Sequence, residues 1–226
     1  MTAQSPLARR EQGVLLIARG ILIMGVLSGA FDQSWMTVFV AGLSLALTFL
    51  PALLRRWRVI DLPLAFEVAG ALFVLASLFL GEIHGWYTRF WWWDLLLHAT
   101  SAMVFAIAGY LILTILLQAT RGHASPWVVG IFTVSFALAI GTVWEMTEYL
   151  IDISLGTNMQ RSGLTDTMTD LMVDTAGAVI AGIAAGIHSR DRANGWLERL
   201  WRAFYTRNPW FFRPDKPTRM QDKKRA

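Results

Sequence analysis

Apolar runs long enough to cross a membrane recur along the whole chain, and short polar loops separate them. A crossing helix needs about 20 mostly apolar residues. Six runs approach or exceed that length, at residues 13–31, 36–54, 62–80, 93–117, 127–150 and 167–188. No soluble core needs so many in succession. The pattern therefore predicts an all-α, polytopic membrane bundle of about six transmembrane helices, forming one domain over residues 1–189.

The periodicity changes after the sixth run. Trp196, Leu197, Leu200, Trp201 and Phe204 fall on one helical face, and charged residues occupy the rest. This spacing predicts a C-terminal amphipathic helix within residues 190–208, lying in the cytoplasmic membrane interface. A helix folded back onto the bundle fits the same pattern. Residues 209–226, rich in Pro, Asp, Lys and Arg, are predicted to be a disordered basic tail.

Composition and charge also predict how the chain is oriented in the membrane. Of the 226 residues 55% are hydrophobic and 16% charged, and the absence of cysteine excludes disulfides and thiolate metal sites. Eleven of the twenty Lys and Arg residues lie from Arg190 onward. With Arg9 and Arg10 and the loop at 55–58, they predict that both termini are cytoplasmic. The expected partners are membrane lipids, with anionic headgroups at the basic tail, and not nucleic acid. A homo-oligomer is left open, as is cleavage of the first run as a signal peptide.

Ionisable side chains form a stripe on each of three predicted helices. Residues three or four apart share one helix face. The stripes are Asp94 and His98, then Glu145, Glu148 and Asp152, then Asp166, Asp170 and Asp174. The fourth and sixth runs begin, and the fifth ends, on the non-cytoplasmic side. The three stripes are therefore expected to meet at one depth near that surface.

Carboxylates gathered in this way repel one another and are costly within a bilayer unless a cation joins them. The pattern predicts a divalent-metal site for Mg, Mn or Zn. Its predicted ligands are His98, Glu145, Glu148, Asp170 and Asp174, with Asp94 and Asp166 in catalytic roles. In the adjoining loop Asn158, Gln160 and Arg161 are predicted to bind substrate. The alternative is that single carboxylates only cap helices, as Asp94 and Asp166 would near helix starts.

Three other features carry smaller expectations. Arg19 and Glu67, in the inner halves of the first and third runs, are expected to pair with each other. The aromatic residues of 86–93 are expected to form a belt at the outer interface. Small residues around Gly182 and Gly186 are expected to allow close helix packing within the chain.

Four segments carry a resemblance to a known family. They are residues 90–98 (FWWWDLLLH), 144–149 (WEMTEY), 158–160 (NMQ) and 163–170 (GLTDTMTD). These motifs resemble the YjdF-like inner-membrane protein family. The resemblance implies a polytopic protein of the bacterial inner membrane, and it implies no particular reaction.

The residues together favour one function over two alternatives. The leading hypothesis is a metal-dependent enzyme acting at the outer leaflet on a lipid-linked or phosphorylated substrate. The same cluster would serve a transporter of cations or protons. However, residues 105–117, 131–140 and 179–187 are almost wholly apolar and offer no polar route inward. The third hypothesis is a structural scaffold without catalysis.

Overall fold

The chain folds into helices only, over the part that the structure describes. This structure is a computed structural model, and it describes residues 6–120, 122–191 and 195–212. The helices are α1 (Pro6–Phe31), α2 (Trp35–Leu47), α3 (Leu50–Arg56), α4 (Leu64–Val74), α5 (Trp86–Arg89), α6 (Trp93–Ala119), α7 (Pro126–Leu155), α8 (Leu164–Asp191) and α9 (Trp196–Arg207). Six segments are long and apolar enough to span a membrane: Arg9–Phe31, Trp35–Arg56, Leu64–Ile83, Trp93–Gln118, Pro126–Leu155 and Leu164–Arg190. They confirm the predicted all-α polytopic bundle.

Two of the six spans are irregular. Helices α2 and α3 form the second span, which breaks before Pro51, because proline lacks the N–H that an unbroken helix would use. The third span starts as α4 and continues as a π-helix over Leu75–Ile83, here called the π segment. The indole of Trp93 donates to the carbonyl of Ala76 in the π segment, at 3.3 Å. This hydrogen bond ties the third span to the start of α6.

The spans pack as two groups of three. Helix α1 packs against α2 and α4, whereas α6, α7 and α8 pack against one another. Helices α7 and α8 approach closely where both carry glycine. A Cβ atom on Gly182 would lie only 3.0 Å from the carbonyl oxygen of Gly130. The small residues of α8 thus pack inside this chain, as predicted.

Helix α9 folds back onto the bundle, which is the alternative that the sequence left open. Leu197 and Phe204 are buried against a cluster that includes Tyr110 and Val129. The side chain of Asn208 brackets the backbone of Asp61, accepting from its N–H at 2.7 Å and donating to its carbonyl at 2.8 Å. The arginines of α9 remain exposed (Arg199, Arg202 and Arg207).

The predicted tail is described only at its start. Its first residues, Pro209–Phe212, form a short 3-10 helix. Residues 213–226, which hold most of the predicted disordered tail, lie outside the described residues, as does Arg121.

Arg19 and Glu67 do not form the expected direct ion pair, although the Glu67 charge still acts on Arg19 electrostatically. Arg19 donates instead to Thr48, to its hydroxyl at 3.1 Å and its carbonyl at 2.8 Å. The helix break at Thr48 leaves this carbonyl available to an outside donor. Glu67 accepts a hydrogen bond from Arg55 at 2.8 Å. Each charge is therefore satisfied by a closer group at the same end of the bundle.

Candidate metal centre

Three helices bring their polar ends together at one end of the bundle. Helices α6 and α8 begin there and α7 ends there. His98 on α6, Glu145 on α7 and Asp170 on α8 are 7%, 3% and 2% exposed. One ligand atom from each lies within 4.8 Å of the other two. The structure thus joins three of the predicted metal ligands, one from each stripe, and we call them the His98 group.

The atoms of the His98 group surround a common space without bonding directly. The Nε2 atom of His98 lies 3.8 Å from Oε1 of Glu145 and 3.9 Å from Oδ2 of Asp170. Both distances are too long for hydrogen bonds. Ligand atoms that each lie about 2.1 Å from one metal ion are separated by at most about twice that distance. The spacing is therefore close to that of a metal centre.

Three buried oxygen atoms of the His98 group accept no hydrogen bond of good geometry among the described residues, although the Thr167 side chain lies near the Glu145 carboxylate. They are Oε1 and Oε2 of Glu145 and Oδ2 of Asp170. An unpaired buried polar group costs about 1–3 kcal/mol, and a charged one more. A cation between these oxygens and the imidazole would satisfy them together, so the residues present fit a divalent ion.

A second group of carboxylates adjoins the first. Ligand atoms of Asp94, Asp166 and Asp170 also lie within 4.8 Å of one another, and Asp94 and Asp166 are half-buried. Because Asp170 belongs to both groups, the arrangement resembles sites in which one carboxylate bridges two cations. The two residues predicted to be catalytic are thus brought directly beside the His98 group.

Asp174 occupies the other side of the imidazole ring. Its Oδ1 atom lies 3.3 Å from Nδ1 of His98, and its side chain is buried. A Cβ atom on Gly141 would overlap the Asp174 carboxylate, so glycine at 141 is what makes room for it. A carboxylate on the second nitrogen of a histidine orients the ring for a metal on the first.

The loop between α7 and α8 is organised by Asp152. Its Oδ1 atom accepts from the Met159 N–H at 2.7 Å and the Thr157 hydroxyl at 2.6 Å, and its Oδ2 atom accepts from the Gln160 N–H at 2.9 Å. The Gln160 side chain donates to the Thr167 hydroxyl at 2.7 Å. Gln160, predicted to bind substrate, therefore ties the loop to α8.

A cavity of about 760 Å³ opens beside the cluster. Of the predicted site residues, those that line it are Asp94, His98, Glu148, Asn158, Arg161 and Asp174. Glu145 and Asp170 are buried and do not line it. Glu148 faces the cavity and belongs to neither carboxylate group. Of the four buried residues of the cluster, His98 and Asp174 thus line the cavity, whereas Glu145 and Asp170 do not.

Tyr87 is a cavity residue that the sequence did not single out. The guanidinium of Arg161 lies 4.7 Å from the centre of the Tyr87 ring. Burial raises the pKa of the Tyr87 phenol, and the nearby carboxylates of Asp94 and Glu82 raise it further, so the phenol stays protonated. Tyr87 stands in the run assigned to an interfacial belt, where Trp91 and Trp92 are indeed exposed. The sequence offers no signal that separates it from them.

The fold and the cluster together define a class, a polytopic membrane protein with a buried histidine–carboxylate group at one end of its bundle. The chain belongs to the family described as "Predicted membrane protein (DUF2238)", whose model matches residues 14–191. This agrees with the resemblance to YjdF-like membrane proteins. A protein of Thermotoga maritima named "Uncharacterized protein" is 30% identical over 100 residues. The match covers 43% of this chain and spans half of that relative. No solved structure matches the chain at a significant level.

Proposed function

We propose that this protein is a metal-dependent enzyme of the bacterial inner membrane that hydrolyses a lipid-linked or phosphorylated substrate. One observation carries the proposal. Both carboxylate oxygens of Glu145 and Oδ2 of Asp170 are buried beside Nε2 of His98, and none of the three accepts a hydrogen bond of good geometry among the described residues. A buried acidic pair of this kind is stable when a cation neutralises it.

The distribution of Lys and Arg supports one orientation for this enzyme. Both termini would be cytoplasmic and the metal centre would lie near the periplasmic face. The basic tail would then meet the anionic headgroups of the cytoplasmic leaflet. Fusing a reporter that is active only in the periplasm to the C-terminus tests this orientation. An active fusion would reverse it.

The residues of the cluster take distinct roles. His98, Glu145 and Asp170 would hold the cation through Nε2 and the carboxylate oxygens. Asp174 accepts the proton of Nδ1 and so fixes the tautomer in which Nε2 can bind. A divalent ion (Mg, Mn or Zn) would supply Lewis acidity and an activated water.

The cavity-facing residues then handle the substrate. Arg161 and Asn158 bind the phosphate, because a guanidinium matches phosphate oxygens. Asp94 accepts the proton of the attacking water. The oxygen of that water bonds to phosphorus, and the P–O ester bond breaks. The departing alcohol oxygen takes the proton, so one water is consumed for each ester cleaved.

Two observations weigh against the alternative functions. Ala106, Ala137 and Ala178 pack together one to two helical turns inward from the cluster and are at most 1% exposed. This apolar plug does not suit a transport path for ions. The unpaired buried oxygens of Glu145 do not suit a scaffold, in which polar groups would satisfy one another. Ion flux into proteoliposomes that depends on Glu145 would favour the transporter.

Metal analysis of the purified full chain tests the centre. After equilibration with Mn²⁺, Zn²⁺ or Mg²⁺ and removal of excess, the protein should retain one ion per chain, or two if Asp94 and Asp166 complete a second site. Glu145→Gln and Asp170→Asn should lose the retained ion. Asp32→Asn is the matched control, because Asp32 is an exposed carboxylate in the loop between α1 and α2. Equal metal content in all four proteins would refute the centre.

The reaction has its own assay. Inorganic phosphate released from phosphatidic acid in mixed micelles should depend on added metal and should fall with Asp94→Asn. Metal binding without any phosphate release would retain the centre and reject this chemistry.

A further inference from the structure

The cavity beside the cluster is polar at one end and apolar along the rest. Charged and polar side chains surround the end near His98. The remaining wall is built mainly from apolar residues: Met36, Phe39, Phe73, Leu78, Phe105, Ile140, Val143 and Trp144. We call this part the apolar arm. The volume of about 760 Å³ falls within the range of small-molecule sites. A soluble phosphate ester would leave the apolar arm without a function.

The apolar arm opens sideways toward the bilayer. Met36 and Phe39 on α2 line the cavity although they are 69% and 65% exposed on the surface of the bundle. Val143 and Trp144 on α7 also line the cavity, and they are 59% and 47% exposed. These exposed surfaces belong to segments long and apolar enough to span a membrane, so in a bilayer they would contact lipid chains. A chain from a membrane lipid can therefore enter between α2 and α7 without crossing water.

The polar end suits a phosphate headgroup when a metal ion offsets its carboxylates, because the guanidinium of Arg161 stands there among Glu82, Asp94, Glu148 and Asp174. Arg161 lines the cavity and, among the described residues, forms no ion pair and no hydrogen bond through its side chain. It rests on the ring of Tyr87, which leaves its N–H groups for another acceptor. A cation held by the His98 group would add positive charge at the same end. Phosphate is the headgroup component that can bind both the Arg161 guanidinium and such a cation.

We propose that the cavity is the binding site for a membrane lipid with a phosphate headgroup, whose hydrocarbon chain lies in the apolar arm. The inference narrows the proposed function from phosphorylated substrates in general to lipids. The contact of the headgroup with a metal ion rests on the proposed function. The contact of the hydrocarbon chain with the apolar arm does not. The lipid enters from the side and presents its phosphate between Arg161 and His98.

Photocrosslinking on the full chain in phosphatidylcholine nanodiscs tests this site. The probe is phosphatidic acid with a diazirine near the end of one acyl chain, and the matched probe is diacylglycerol with the same chain. Mass spectrometry should place the phosphatidic acid label in the apolar arm, at residues such as Phe73, Phe105 and Ile140. An excess of inorganic phosphate should not compete with this label.

Two substitutions on α7 separate a bound lipid from ordinary bilayer contact. Ile140→Trp fills the apolar arm and should reduce the label there to the level of the diacylglycerol probe. Ile153→Trp, at a position 61% exposed on the same helix, should leave the label unchanged. Metal content should match that of the unmodified chain in both variants. Arg161→Ala should remove the preference for phosphatidic acid over diacylglycerol.

Three outcomes would overturn the inference. One is a label that falls only on outward-facing residues such as Ile153, and another is a label that Ile140→Trp leaves intact. Full competition by inorganic phosphate would mean that the polar end takes a soluble ligand. Failure of the proposed function looks different. A chain that retains no metal yet labels in the apolar arm keeps the lipid site and loses the metal centre.

Discussion

The Nδ1 atom of His98 lies 3.3 Å from Oδ1 of Asp174, on the opposite side of the ring from Glu145 and Asp170. One imidazole therefore separates two kinds of carboxylate. Asp174 holds the ring in place, and the others share the space beyond Nε2. From this relationship we predict a positioning role for Asp174, whereas the sequence predicted a direct ligand role.

Asp174→Ala should weaken metal binding without abolishing it. Loss of a carboxylate that orients a ligating histidine typically lowers affinity by about 10–100-fold. Asp174→Asn keeps an oxygen that can accept a hydrogen bond from Nδ1 of His98, so it should lose less metal affinity than Asp174→Ala. Metal titration by calorimetry measures both. If Asp174→Ala removes binding as completely as Glu145→Gln does, Asp174 is a ligand itself.

Glu145→Gln should change stability in opposite directions with and without metal. In chelator the substitution removes one charge from a repelling buried cluster, so the variant should melt above the unmodified chain. With metal present the unmodified chain gains binding energy, about 2.7 kcal/mol at a metal concentration 100 times Kd, and should melt above the variant. Thermal unfolding in detergent checks both conditions. If the cluster were only a structural scaffold, Glu145→Gln would change the melting temperature in the same direction with chelator and with metal.

Gly141→Ala should destabilise the bundle by about 1–3 kcal/mol, because its methyl group would overlap the Asp174 carboxylate. The matched control is Gly42→Ala on α2, where nothing lies within 4 Å of an added Cβ. That change should be neutral or stabilising by up to about 1 kcal/mol, since alanine favours helix over glycine. Unfolding temperatures of the two variants provide the test, and equal shifts would contradict it.

Asp152→Ala should loosen the loop between α7 and α8. Three donors from the loop converge on this carboxylate, including the backbone N–H groups of Met159 and Gln160. Hydrogen exchange at these two amides should accelerate, whereas amides in the middle of α7 should exchange as before. Unchanged exchange at Met159 would show that the loop is held by other contacts.

Phe204→Ala should detach α9 from the bundle. Phe204 is 2% exposed, and removing a buried phenylalanine side chain costs about 3–5 kcal/mol. Arg199→Ala, at an exposed position of the same helix, serves as control. Limited proteolysis should cut after α8 much faster in Phe204→Ala than in Arg199→Ala. Equal cleavage rates would place α9 in the lipid interface, independent of the bundle.

The spans and the meeting of the three stripes were predictable because both follow from local rules. Run length gives the spans, and the helical repeat shows that Asp166, Asp170 and Asp174 share a face. The repeat does not give the rotation of α8 against α6. Asp170 and Asp174 belong to one stripe, yet Asp170 lies near Nε2 of His98 and Asp174 near Nδ1. Only the packing of the helices decides this arrangement.

Other features depend on atoms far apart in the chain. The space for Asp174 comes from Gly141, and a glycine inside an apolar run carries no sign of its partner. Arg19 was assigned to Glu67 by depth and charge alone, but the break before Pro51 supplied a nearer acceptor at Thr48. Tyr87 reaches the cavity through the turn at α5, which a run of aromatic residues does not reveal.

The alanine plug of Ala106, Ala137 and Ala178 has a thermodynamic consequence. A centre sealed on one side exchanges solutes with a single compartment, and its substrate and product share that compartment or the adjoining leaflet. For the proposed hydrolase in the proposed orientation, nucleotide triphosphates would lie beyond this plug, as would any ion gradient that could be coupled to the reaction. The proposed reaction needs neither, because hydrolysis of the ester bond is itself the driving step.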